Sequence, residues 1–368
     1  MKKKLFTILI LLIFPILAFA QEPQKTDIVF KAKILEVLKE VHKIMPDGTP
    51  TTQQNIKLKG LEGEFKDKEI IYRGVDDFDV IKKAIYKEGD TVLAIASFMN
   101  DGEVNYYIID FVRNNNLWTL TIIFILTLLL VGGFKGGRSL LSLFITFFII
   151  IKFIIPQIVA GQNPIFVSVV GGLLIMIFII YITEGLNTGS HIAVLSIFLG
   201  LLATIFFSNL FIKLAHLSGV FSEEIFYLVD IGDAHINFQG LLLAGIIIGT
   251  LGVLDDVVIS QIAAVEQIYL TNKHQTKKEI FKKAYKIGIS HISSMTNTLF
   301  LAYAGVSLPL LILFLSGQSA FSSFEQIVNN EQIATEIVRT LAGSIGLILS
   351  VPISTTIAVW WFKKIKSH

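Results

Sequence analysis

The sequence predicts an α-helical membrane protein: a seven-helix transmembrane bundle preceded by a small exported all-β domain, OB-like or barrel-sandwich in type. Three observations carry that expectation. Hydrophobic residues make up 53% of the 368 residues and charged ones only 16%, too little polar surface to cover a water-soluble fold of this length. Seven long apolar runs fill the chain from residue 114 onward. Before residue 114 and after the first twenty residues, charges are frequent and no run could span a bilayer.

Residues 1–20 read as a signal peptide. Met1-Lys2-Lys3-Lys4 is basic, Leu5 to Ala20 is apolar, and Ala18-Phe19-Ala20 fits the A-x-A cleavage pattern. The apolar stretch falls short of the ~20 residues needed to cross a ~30 Å hydrocarbon core, which argues for cleavage over a retained anchor. Residues 21–113 then form the exported domain. Strand-like runs cover 28–37, 55–65, 69–72, 91–98 and 104–112, with turn formers at Pro46-Asp47-Gly48, Lys87-Glu88-Gly89-Asp90 and Asn100-Asp101-Gly102. Five short strands suit a small barrel.

Charge and composition exclude several classes. Lysines in the exported domain alternate with Glu and Asp and make no basic, aromatic-studded face, and the net charge is only +2, so no nucleic-acid partner is expected. There is no cysteine, which removes disulfides, thiolate metal sites, cysteine nucleophiles and a lipoprotein anchor. GxxxxGK[ST], HExxH and GxSxG are absent, so no enzyme activity, cofactor or metal is expected. The expected partners are the lipid bilayer and either an envelope protein or a second copy of the chain.

The membrane domain covers 114–368, with spans near 117–134, 140–155, 164–183, 192–212, 238–262, 292–315 and 341–362. Trp118 stands at the outer edge of the first, where an aromatic anchor belongs. Lys135 and Arg138, the lysines from Lys273 to Lys286, and Lys363, Lys364 and Lys366 fall in alternate loops or the C-terminal tail. The opposite loops hold only Lys213 and Arg339, together with Glu223, Glu224, Asp230, Asp233, Glu325, Glu331 and Glu336. That asymmetry predicts a cell-membrane protein with an extracytoplasmic N-terminal domain and a cytoplasmic C-terminus. Thr276 to Ile287 reads as a short amphipathic helix lying on anionic lipid.

The fifth span holds the unusual chemistry. At 100° per residue, Gly245, Gly249, Gly252, Asp256, Ser260, Ala263 and Gln267 share one narrow stripe, and Asp255 and Glu266 share the adjoining sector. The glycines are candidates for close helix packing. A carboxylate at membrane depth costs on the order of 2.5–3.5 kcal/mol, so Asp255 and Asp256 are candidates for a substrate or ion path. Asp255 lies about 25 Å along the span if the helix begins at Phe238, which leaves its depth open. In the sixth span Ser293, Thr296, Asn297, Ala304 and Ser307 cluster on one side with Tyr303 at its edge, and Pro309 frees a backbone carbonyl. Helix adhesion explains the hydroxyls alone; Asn297 opposite either aspartate would instead make a polar pair.

Two motifs carry a resemblance. Leu242-Leu243-Ala244-Gly245-Ile246-Ile247-Ile248-Gly249-Thr250-Leu251-Gly252-Val253-Leu254-Asp255-Asp256-Val257 and Ser294-Met295-Thr296-Asn297-Thr298-Leu299-Phe300-Leu301-Ala302-Tyr303-Ala304-Gly305 resemble the YibE/F family of bacterial multi-pass membrane proteins. Phe134-Lys135-Gly136-Gly137-Arg138-Ser139-Leu140 and Ile337 to Pro352 are similar to it too. Where that family often has a charged pair leading into the sixth span, this chain has Gly288-Ile289-Ser290-His291. The resemblance implies membership without a substrate. The polar seam points to a secondary transporter, permease or channel. The alternative is a non-transporting scaffold or assembly factor whose exported domain binds another envelope protein.

Overall fold

Alternation of buried and exposed side chains builds the N-terminal sheet. In the computed structural model, which describes residues 27–44, 50–75, 85–99, 103–222, 225, 228, 236–316 and 323–365, the strands are β1 (Ile28–Ile44), β2 (Pro50–Gly60), β3 (Glu69–Arg73), β4 (Thr91–Phe98) and β5 (Val104–Phe111). Every second residue of Phe30-Ala32-Ile34, Ile56-Leu58 and Val92-Ala94-Ala96 is buried, the period-two signature of a half-buried strand. All pairings are antiparallel, the order is β3-β2-β1-β4-β5, and the edge strands β3 and β5 approach each other to leave a half-barrel. Phe30 stacks on Phe65 at 4.4 Å, and Tyr106 meets both edge-on.

The first strand runs further than its apolar pattern. The second is displaced from the expected 55–65: it starts at Pro50 and ends at Gly60, and Gly63–Phe65 form a 3-10 turn that tucks Phe65 into the core. Cross-strand polar contacts extend the hairpin: Gln54 donates to Glu40 at 2.8 Å, and the His42 ring meets the Thr52 hydroxyl at 2.9 Å. Gln54 also bonds both backbone groups of Tyr86, donating to its carbonyl at 3.1 Å and accepting from its N–H at 2.8 Å. A side-chain amide thus does the work of a strand neighbour and pins the loop before β4. The signal segment, the turns at 46–48 and 100–102, and Glu223, Glu224, Asp230 and Asp233 lie outside the described residues.

The chain divides into two units, Met1–Phe124 and Ile125–His368. Helices begin with α1 (Asn114–Ile149), broken at Gly133, whose φ of 54° and ψ of −136° lie outside any helix. The break reverses the chain: a Cβ on Gly136 would collide with the carbonyl of Leu128, a residue about 12 Å away along a straight helix. A π-helical segment, Ile150–Ile154, leads into α2 (Ile155–Val159), where Pro156 has no N–H for the regular ladder. Then follow α3 (Pro164–Thr183), α4 (Thr188–Leu214), α5 (Phe238–Thr271), α6 (Lys277–Val306), α7 (Leu308–Leu315), α8 (Phe324–Val328) and α9 (Glu331–Ile365).

Among the described residues five helices are long and apolar enough to cross a membrane, Asn114–Val159 counted as one; a sixth span results if α6 and α7, bent by 64°, form one. The helical ends depart from the hydropathy boundaries. Thr276 and Glu279 form a reciprocal capping box, and the amphipathic segment continues without a break into the sixth span instead of forming a helix of its own. Ile280, Ala284 and Gly288 are buried along it while Lys278, Lys282 and Lys286 face out.

Helices α4, α5 and α9 form the centre, with α3 and α6 packed on α5. Small residues permit it. A Cβ on Gly172 would fall 2.5 Å from Leu251, one on Gly343 would fall 3.0 Å from the Thr250 hydroxyl, and one on Gly346 would land on Thr204. Gln261, 2% exposed, ties three helices by donating to the Ala284 carbonyl at 2.9 Å and to the Thr355 hydroxyl at 2.8 Å. At one end of the bundle Lys363 donates to the Lys273 carbonyl at 3.0 Å. At the other, the Glu331 carboxylate accepts from Ser218 N–H at 2.6 Å, Ser218 Oγ at 2.7 Å and Gly219 N–H at 3.1 Å.

Candidate functional site

Helix α5 settles the depth of the two aspartates within their helix. It runs 34 residues, about 51 Å, and Asp255 and Asp256 stand at its midpoint. The helix packs one broad face, Ile246-Ile247-Thr250-Leu254-Val257-Val258-Gln261, against its neighbours. The opposite stripe is open: Gly245, Gly249, Gly252, Asp256, Ala263 and Gln267 are exposed, and Asp255 and Ser260 are half-buried. Nothing lies within 4 Å of a Cβ placed on Gly245 or Gly252. Close helix approach among the described residues also occurs at Gly172, Gly343 and Gly346, which the sequence pattern does not single out. Among the described residues no cation lies within ion-pair distance of either aspartate.

Two of the expected residues do meet. A Cβ on Gly249 would lie 2.9 Å from the Tyr303 hydroxyl, so glycine leaves the room this phenol occupies. Asn297 and Ser293 are on the exposed side of α6, and no hydrogen bond joins Asn297 to Asp255 or Asp256 among the described residues. Glu266 lines a separate cavity of about 110 Å³ with Glu184, Asn187 and Ser190, at the end of the bundle where α3 turns into α4.

Tyr303 lines a cavity of about 210 Å³ between α6, α7 and α9, together with Phe300, Ser307, Leu311, Glu336 and Thr340. Ser307 sits at the 64° bend between α6 and α7. Pro309, two residues beyond Ser307 and the second residue of α7, cannot donate to the carbonyl of Gly305, which loosens the ladder at that point. Across the cavity Glu336 accepts from Arg339 Nη1 at 2.9 Å, one turn along α9, with the two side chains 18% and 23% exposed. Glu336 Oε2 and Arg339 Nε are buried without a partner, as is the hydroxyl of the preceding residue, Thr335.

Sequence reading placed Glu336 and Arg339 in a loop because hydropathy assigns charges to the outside of a span. The helix begins earlier, at Glu331, with the Asn330 side chain accepting from Gln332 N–H at 3.0 Å. That Asn followed by Glu331 in the first turn was the missed start signal.

Five long apolar helices, or six with the bent pair α6–α7, mark a multi-pass helical membrane protein with a separate N-terminal β unit. The chain belongs to the YibE/F family: the family described as YibE/F-like protein matches residues 120–364. The match begins within α1 and runs into the last turn of α9. No curated protein and no solved structure matches the chain.

Proposed function

We propose that this protein is a secondary transporter, permease or channel, with the α6–α7 span as its moving element. The observation that carries this reading is the 64° bend at Ser307 opening onto the same cavity as Tyr303, Glu336 and Thr340. Broken helices beside intramembrane charges are a recurrent way to build a solute path, because freed backbone groups and charged side chains together replace lost hydration. Asp255 and Asp256, at mid-helix on a partly open face, form a second candidate stretch of that path. No catalytic chemistry is assigned to the chain.

The proposed topology has seven spans, because the reversal at Gly133 splits α1–α2 into two passes. Arg138 supports this: its guanidinium lies 3.8 Å from a Cβ placed on Gly185, at the end of the bundle where α3 meets α4. The lysine distribution then sets a cell-membrane orientation with the β domain outside, after a cleaved signal, and the C-terminus inside.

Purified protein in lipid vesicles, incubated with a soluble cell extract, should accumulate specific solutes relative to empty vesicles, read by mass spectrometry of the lumen. Tyr303→Phe or Asp256→Asn should lower that accumulation roughly tenfold or more, the loss of about 1.4 kcal/mol of path stabilisation. No enriched solute in the wild-type vesicles would remove the transport reading.

A second reading has its own observation: the N-terminal unit has a complete core of its own and so could serve as a binding module for an envelope protein. Photo-cross-linkers at Val29 and Ile71, both exposed on the sheet, should then capture one dominant partner in cells. Adducts with this chain alone would point to self-association, and their absence would leave the β domain without a binding role.

A further inference from the structure

The Glu336–Arg339 pair is incomplete. It is closed at one point, at 2.9 Å, while the second carboxylate oxygen and the guanidinium Nε are buried and unbonded. A half-satisfied, part-buried charged pair is held less firmly than a bidentate one, since each unmade bond leaves a desolvation cost uncompensated. A proton changes the balance. The carboxylate can only accept hydrogen bonds, whereas the acid carries a donor as well and no charge. The guanidinium has no such alternative and stays cationic.

The surroundings fit an exchanging group. Glu336 shares its cavity with Ser307, where the span bends, and with the Tyr303 hydroxyl from α6. Arg339 on its own helix and Tyr303 across the cavity are the titratable groups that face it. His216 from the end of α4 and Glu331 line a different cavity, beyond Ile337, and Glu331 is occupied by Ser218 and Gly219. Glu325 on α8 is exposed, and α5 brings no charged side chain to the cavity wall.

We propose that Glu336 is a proton-carrying residue, alternating between a carboxylate bound to Arg339 and a neutral acid released from it, with the bend at Ser307 following the exchange. This rests on the transport reading and deepens it, by making the proton the coupling ion. Only an O–H bond forms or breaks: water delivers the proton to the carboxylate and takes it back, and nothing is oxidised or reduced.

The chain has no cysteine, so a pair introduced at Ile289 and Leu315, exposed on either side of the bend, can be spin-labelled without background. In lipid vesicles the full-length protein should show a label-to-label distance that shifts between neutral and acidic buffer. Glu336→Gln should hold the acidic distance at both, and Glu336→Asp should restore the shift. An unchanged wild-type distance, or a shift that persists in Glu336→Gln, overturns the proposal. If Glu336→Gln does not fold, infrared titration decides. A carboxylic-acid band that grows on acidification and changes frequency in Glu336→Asp supports the proposal; a band identical in the two proteins overturns it. Neither readout needs a solute. A pH-driven shift without solute accumulation would sink the transport reading alone, and accumulation without the shift would sink the proton site alone.

Discussion

Two ion pairs of the same length separate the two units of this chain. Lys59 and Asp67 meet at 2.9 Å on the N-terminal sheet with side chains 42% and 68% exposed, and Arg339 and Glu336 meet at 2.9 Å on α9 with 23% and 18% exposed. The first belongs to a set of surface pairs that includes Lys57–Glu69 and Arg113–Asp110. The second is the lone acid–base pair of the helical unit among the described residues. There, hydroxyls turn back on their own helices, as Thr250 does to Ile246 at 2.8 Å and Thr204 to Gly200 at 3.1 Å. Distance alone says little about a polar contact; the surrounding medium decides what it does.

Breaking the part-buried pair on α9 gives the largest expected effect. Glu336→Ala leaves a guanidinium that cannot shed its charge; a fully buried pair broken from one side costs about 3–5 kcal/mol, and at 23% and 18% exposure the expected cost is about 2–3 kcal/mol. Arg339→Ala leaves a carboxylate that a proton can neutralise, so its penalty should be smaller and should shrink on acidification. Thermal unfolding of the two variants in detergent, compared at neutral and acidic pH, checks both statements. Equal melting of the two at every pH would mean that the pair behaves like its exposed counterpart.

The next effect comes from glycines that look alike in sequence and differ in place. Gly346→Ala drives a methyl onto Thr204 at the α4–α9 contact, and overpacking of that kind costs roughly 1–3 kcal/mol. Gly245→Ala meets nothing within 4 Å and should be neutral or mildly stabilising, alanine being the better helix former. Unfolding midpoints of the two variants in the same detergent should therefore move in opposite directions. A loss at Gly245 would show that a second molecule covers the open stripe of α5.

That contrast also marks what could be read from the chain. Strand positions with Phe30, Ala32 and Ile34 on one side were legible, because a half-buried strand imposes a period of two. The far half of β1 and β2 was not, since Glu40–Gln54 and His42–Thr52 hold it through polar pairs that have no apolar rhythm. Apolar length pointed to the long helices, while their ends were set by caps: Thr276–Glu279 for α6 and Asn330 for α9. In the site, Tyr303 and Gly249 were found from their stripe. Glu336, Arg339 and Gln261 were passed over, because their importance lies in which helix faces them, and a single helix's periodicity does not carry that.

In the N-terminal unit the comparison sharpens at alkaline pH. Burial is the first cause that pushes the Tyr86 hydroxyl up to about 12, with the neighbouring Tyr72 and Asp110 acting the same way. Because the folded value is raised above the unfolded one, this stabilisation is complete below about pH 10 and is lost as pH rises toward 12. Tyr86 is buried, 8% exposed, so the loss should be on the order of 2 kcal/mol. Tyrosinate absorbance should show a late-titrating component that shrinks by one tyrosine in Tyr86→Phe. A normal titration of that residue would mean that the loop held by Gln54 opens in solution.

The smallest effect belongs to the exposed pair. The hydrogen bond and charge of Lys59 hold the Asp67 carboxyl below its usual range, so whatever stability it lends is present above that range and fades as pH falls through the lowered value. Both groups stay open to water, which screens their attraction and competes for their hydrogen bonds. Asp67→Asn should leave the melting of the protein unchanged at neutral pH, in low salt and in high salt alike. A clear loss would mean that the sheet surface at β2 is not solvated, which is the condition expected if another protein normally covers it. The same substitution logic applied at Glu336, with the same distance and a different medium, should give the opposite outcome, and the pair of results together tests whether medium or geometry governs.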